Sequence, residues 1–146
     1  MENGVVGAIT KSLGAKFPNY CIYVDNVPQG LQLPCFFVDQ IQSKAIKTNN
    51  TRYESFLHFD IVFYPEQTLA THAFLRDISE ILRYEVLENL QIRENERRDG
   101  ENMHCEIIDN ILHFFVSYRF DVVREISEED SFMESLQNEL IVQRGE

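Results

Sequence analysis

The chain has 146 residues, 44% of them hydrophobic, with eleven Phe, six Tyr and no Trp. That is enough apolar material for one domain with a core of aromatic strands, and it excludes a disordered acidic polymer. Thirteen Lys and Arg against twenty-four Asp and Glu leave a formal net charge of -11, which argues against gripping nucleic acid through its phosphates and suits solubility, self-repulsion or mimicry of an acidic polymer.

No apolar run approaches the ~20 residues of a membrane span, and the stretch 4–9 is too short and lacks the basic flank of a signal peptide. Cys21, Cys35 and Cys105 are odd in number, match no metal template and sit in apolar runs. They read as reduced, buried thiols of a cytosolic protein.

In chain order, Asn3 caps a first helix whose face is Val5, Val6, Ile9, Leu13 and Phe17, ended by Pro18-Asn19. Residues 20–24 form a short strand, 25–30 a turn rich in Pro, Asn and Gly, and 34–41 a strand apolar on both faces. The polar stretch 43–52 carries Lys44, Lys47, Asn49, Asn50 and Arg52 and no acid. It reads as the tip of a long hairpin: either a solvated loop or a contact arm for an acidic partner surface.

The strand that follows, through Tyr64, places Leu57, Phe59, Ile61 and Phe63 on one face and Phe56, His58, Asp60, Val62 and Tyr64 on the other. After Pro65 the spacing of Ala70, Ala73, Phe74, Ile78, Ile81 and Leu82 predicts one helix over 66–84 that covers the apolar sheet face. A weaker strand is expected over 86–97, a turn at 97–100 signalled by Asp-Gly, a strand over 103–108 and a two-residue turn at Asp109-Asn110. Residues 111–123 form the longest strand, with Leu112, Phe114, Val116, Tyr118, Phe120 and Val122 on one face. The last three strands are expected to form an antiparallel meander.

From Glu125 to Glu139 there are six acids and no base, with Phe132, Met133, Leu136 and Leu140 at helical spacing. The expected fold is α+β: a mostly antiparallel mixed sheet with two helices packed on one face, plus a C-terminal arm or short helix. The expected organisation is one domain over 1–124 and an acidic arm over 125–146.

Catalytic motifs are absent: there is no Gly-rich phosphate loop, nucleophile elbow or zinc-protease pair. His58, His113, Asp60 and Asp121 can be drawn together as a metal or acid/base site, but they read better as hydrogen-bonded strand residues on a half-exposed face. The pair His104-Cys105 has no second ligand pair at metal spacing. No catalytic residue, metal or cofactor is expected.

Three blocks resemble a family of small phage tail terminator proteins from contractile-tailed phages and phage-like particles of Gram-positive bacteria. They are residues 23–38, with Gln29-Gly30-Leu31 and Pro34-Cys35-Phe36-Phe37; Arg52-Tyr53 with Phe59-Asp60-Ile61 and Tyr64-Pro65; and residues 112–118. Pro28 departs from the acidic or polar residue usual at its position. The acidic Glu128-Glu129-Asp130 is similar to the family's ending.

The resemblance implies a virion structural protein without catalysis, a tail terminator whose hexameric ring caps the tail tube and stops its polymerisation. It also implies anchoring of the top of the sheath in a contractile tail, or joining of the neck. The implied partners are other copies of the chain, the tube and sheath proteins, and a neck or connector protein where a head is present. No membrane and no specific nucleic acid is implied, although DNA passes through such a ring. The implied location is the virion or tail particle, assembled in the host bacterial cytoplasm, whether phage or headless bacteriocin-like particle. The expected subunit or tube interface is Lys44, Lys47, Asn49, Asn50 and Arg52 against Glu128, Glu129, Asp130, Phe132 and Leu136. The rival functions are a neck or head–tail connector, an acidic DNA-mimic inhibitor and a small α+β enzyme resting on the His and Asp grouping.

Overall fold

The computed structural model describes residues 2–25 and 29–124. The chain runs α1 (Glu2–Lys16), β1 (Cys21–Val24), β2 (Cys35–Lys47), β3 (Arg52–Tyr64), α2 (His72–Ile81), β4 (Asn89–Arg93), β5 (Glu96–Asp99), β6 (Glu101–Ile108) and β7 (Ile111–Val123). Five strands form one sheet in the order β1-β2-β3-β7-β6, antiparallel except for β1 against β2. Two helices and a mostly antiparallel mixed sheet make the fold α+β, as the sequence predicts.

Period-two patterning fixes the core. Leu57, Phe59, Ile61 and Phe63 of β3 are fully buried and stand opposite Tyr118, Val116, Phe114 and Leu112 of β7. Both helices pack on this face. Phe17, just past α1, meets Phe36 at 4.9 Å between ring centroids, Phe36 meets Phe63 at 4.9 Å, and Phe63 meets Phe74 of α2 at 6.1 Å. Each such buried side chain contributes about 1.5–3 kcal/mol. On α1, Val5, Ile9 and Leu13 are fully buried at i, i+4 spacing, as expected from that stripe. The helix begins at Glu2, one residue before Asn3, so Asn3 lies inside the first turn rather than at the cap.

Four expectations need correction. The predicted helix over 66–84 is broken into a 3₁₀ turn at Gln67–Leu69, α2, and a π turn at Leu82–Val86. Thr71 is extended, and its Oγ1 accepts from the Phe74 N–H at 3.2 Å, so it starts the helix afresh as an N-cap. Leu75, Ile78 and Leu82 are the buried face, while Ala73 is exposed.

The predicted strand over 86–97 is instead a separate hairpin of β4 and β5 beside α1, with its turn at Glu94-Asn95. The expected turn at 97–100 falls largely within β5, and the expected meander reduces to β6 and β7, because β4 pairs with β5 in a separate sheet and not with β6. Gly100 sits at the junction of β5 and β6. A Cβ there would lie 2.6 Å from the Leu87 carbonyl oxygen, so the position tolerates no side chain. The two-residue turn at Asp109-Asn110 stands, with φ of 52° and 61°, the left-handed pair of a type I′ turn.

The fourth correction concerns the hairpin tip. β2 continues through Lys47 and β3 starts at Arg52, so the loop is only 48–51. All residues from Ile41 to Lys47 are exposed, and without alternating burial the sequence carries no strand signal there. The turn expected at 25–30 falls partly on residues 26–28, which lie outside the described residues; Asp25 and Gly30 flank them with φ of 66° and 78°.

Candidate assembly surface

The sheet has one face under the helices and one without a helix on it among the described residues. On the second face β3 and β7 bring four polar side chains into register. His58 hydrogen-bonds Ser117 through Nδ1, and His113 Nδ1 lies 2.9 Å from Asp60 Oδ2. Burial pushes the Asp60 carboxyl above the ordinary carboxylate range, and the hydrogen bond and charge of His113 pull it back. Asp60 Oδ1 is buried and makes no hydrogen bond among the described residues. Asp121 stands opposite Glu54, far along β7 from this cluster. Among the described residues no group of three or more His, Cys, Asp and Glu is arranged to hold a metal. His104 stacks on Phe115 at 4.7 Å, which makes it a packed strand residue next to a free Cys105.

The other feature is an arm. Beyond Val38 the outer side of β2 has lost β1, and beyond Ser117 the outer side of β7 has lost β6. The far ends of β2, β3 and β7 therefore continue as a three-stranded projection. Its tip is closed by Asn49, whose Oδ1 accepts from the Thr51 N–H at 2.9 Å, and by the Thr48 N–H on the Arg52 carbonyl at 2.9 Å. Asn49 is thus occupied in turn geometry, while Asn50 is exposed.

Lys44 and Lys47 lie on the exposed end of β2, and Arg52 opens β3. A bulge between Gln40 and Gln42 shifts the alternation. Lys44 then pairs with Phe56 on the helix-free face, and Lys47 pairs with Tyr53 on the opposite face. They do not form one patch.

The structure adds a cation that sequence reasoning missed. The Arg124 N–H donates to the Thr51 carbonyl at 2.6 Å, so Arg124 joins Arg52 at the tip. The signal was the long antiparallel pairing of β7 on β3, which the sequence does not specify. None of Lys44, Lys47, Arg52 and Arg124 lies within ion-pair distance of an acid among the described residues. Arg119, by contrast, pairs with Glu54 at 3.1 Å. The other expected interface residues, Glu128, Glu129, Asp130, Phe132 and Leu136, and the predicted acidic arm or short helix, lie outside the described residues. The chain enters that acidic stretch at the cationic end of the arm, directly after Arg124.

Comparison with known proteins gives the family. A family model described as "Phage tail terminator protein" matches residues 5–130. The fold matches a chain of a solved structure described as "Virion of native gene transfer agent (GTA) particle", with a TM-score of 0.51 and 13% identity, over 80% of this chain and 92% of that one. No curated protein matches the sequence. The family match spans most of the chain, including the sheet and the arm. The chain therefore belongs to the phage tail terminator family, and it is a structural, non-enzymatic component of a tail or virion particle.

Proposed function

We propose that this chain forms a hexameric ring that caps the finished tail tube and stops its polymerisation. In a contractile tail the ring anchors the top of the sheath, and in a particle with a head it joins the neck or connector. Assembly takes place in the bacterial cytoplasm, where the subunits meet the tube.

The observation that carries this reading is the arm. A three-stranded projection ends in cations with no acidic partner among the described residues, and residues 125–146 that follow hold seven acids against one base. Two unlike patches on one chain suit a heterologous contact, the kind that closes into a ring. In this reading Lys44, Lys47, Asn50, Arg52 and Arg124 of one subunit face Glu128, Glu129 and Asp130 of a neighbour or the acidic surface of a tube subunit, and Phe132 and Leu136 add apolar contact. Opposite charge steers encounter and sets register more than it adds affinity. The remaining negative charge, repeated around a channel, repels passing DNA; a neutral or basic channel wall would remove that part.

The test is negative-stain imaging of tails made without this protein. Tubes of uneven or excessive length are the expected result. Tubes that end at their normal length in its absence would overturn the proposal.

A further inference from the structure

The main sheet ends differently on its two sides. On one side β1 pairs only with Cys35–Val38, and the exposed stretch Lys44–Lys47 of β2 has no strand on its outer side among the described residues. On the other side β6 is the last strand, and its outer edge has no strand on it among the described residues. Backbone N–H and C=O groups along such edges are ready to pair with another chain.

The edges differ in charge. On the helix-free face β2 presents Lys44, and β6 presents His104 and Glu106, all exposed. A bulge next to Ile41 and the two lysines keep β2 from pairing with an arbitrary strand, which leaves an acidic edge as the fitting one. β2 and β6 run in opposite directions within one sheet, so a neighbour's β6 meets β2 antiparallel; Lys44 is level with Arg119 and Glu106 with His113 further along β7, so the ring axis is inclined to the strands, as in a barrel with tilted, staggered strands.

We infer that copies of the chain join edge to edge, Lys44–Lys47 of one copy pairing antiparallel with β6 of the next, Lys44 opposite Glu106 and Ala45 opposite Cys105. The inference rests on the ring proposed above and names its partner, a second copy of this chain. The pairing spans four residues, as does that of β1 with β2. Because the two surfaces are different edges of one sheet, the contact is heterologous and propagates around a ring. It assigns Lys44 to the sheet junction and leaves Lys47, Arg52 and Arg124 for the acidic stretch.

The experiment uses the full chain assembled into tails. Opposed residues in an antiparallel pair have Cα atoms about 4.5–5.5 Å apart, within the range of about 4.4–6.8 Å that a disulfide bridges. Ala45→Cys therefore gives a ladder of linked subunits on a non-reducing gel of oxidised tails, and Ala45→Cys with Cys105→Ser gives none. Cys35 does not compete, since it is fully buried and burial pushes its thiol up to about 11.

Lys44→Glu and Glu106→Lys each lower the fraction of tails of regular length by about tenfold, the product of modest losses at repeated junctions, and the double exchange restores it. Regular tails with no ladder, and a double exchange no better than the single changes, overturn the edge pairing while the ring survives. Tubes whose length is indifferent to the protein overturn the ring and the pairing together.

Discussion

The Tyr118 hydroxyl donates to the Leu87 carbonyl oxygen at 2.7 Å, and both residues are fully buried. This bond ties β7 to the segment that leads from the π turn into β4. Burial drives the Tyr118 phenol far above its ordinary range, so the group stays a neutral donor. Tyr118→Phe leaves the Leu87 carbonyl buried without that donor. The expected loss is about 1–3 kcal/mol of unfolding free energy, read from denaturant midpoints at unchanged slope. A variant as stable as the parent would show that water or a shift of Leu87 replaces the bond.

The same carbonyl explains Gly100. An added Cβ meets it at 2.6 Å and Val116 Cγ2 at 3.0 Å, both against well-packed surroundings. Gly100→Ala is expected to destabilise by about 1–3 kcal/mol through overpacking. Gly7, where an added Cβ meets nothing within 4 Å, is the control. There Gly7→Ala is expected to stabilise the exposed face of α1 by up to about 1 kcal/mol. Equal thermal shifts for the two variants would remove the steric account.

Asp60 sets a pH dependence of definite sign. Its folded carboxyl titrates above the ordinary value, chiefly because it is buried. The folded chain therefore holds this proton more tightly than the unfolded chain. Its contribution to stability is complete below the ordinary Asp range and is lost as pH rises through the raised folded value. Asp60→Asn removes that falling component while its amide oxygen still accepts from His113. Denaturation curves across pH 4 to 7 check this. The parent should lose stability relative to the variant as pH rises, and parallel profiles would contradict the assignment.

The tip cations are expected to matter for assembly and not for folding. Lys47→Glu with Arg52→Glu lies at exposed positions, so unfolding free energy should change by no more than about 0.5 kcal/mol. Tail length control should nevertheless fail, measured as the spread of tube lengths in images of assembled tails. Normal lengths with the doubly reversed tip would sink the charge contact with the 128–130 acids.

The sequence by itself determined the faces. Alternation over 55–64 and 111–123 is legible because each of these strands has one side against helices, and burial imposes period two on residue choice. The turn at Asp109-Asn110 was legible for a local reason, since both residues tolerate positive φ. The family was legible in the three blocks, two of which carry those strands.

Tertiary structure decided the rest, above all the surface proposed for assembly. Simple alternation from Phe36 puts Lys44 on the helix side, and the bulge at Ile41 turns it to the other face. Arg124 reaches the tip only because β7 pairs with β3 along its whole length, and β4 stays out of the main sheet because it pairs with β5 beside α1 and not with the edge of β6. Such outcomes depend on pairing between residues distant in the chain. Exposed strands leave no burial pattern behind, so nothing local in the sequence encodes them.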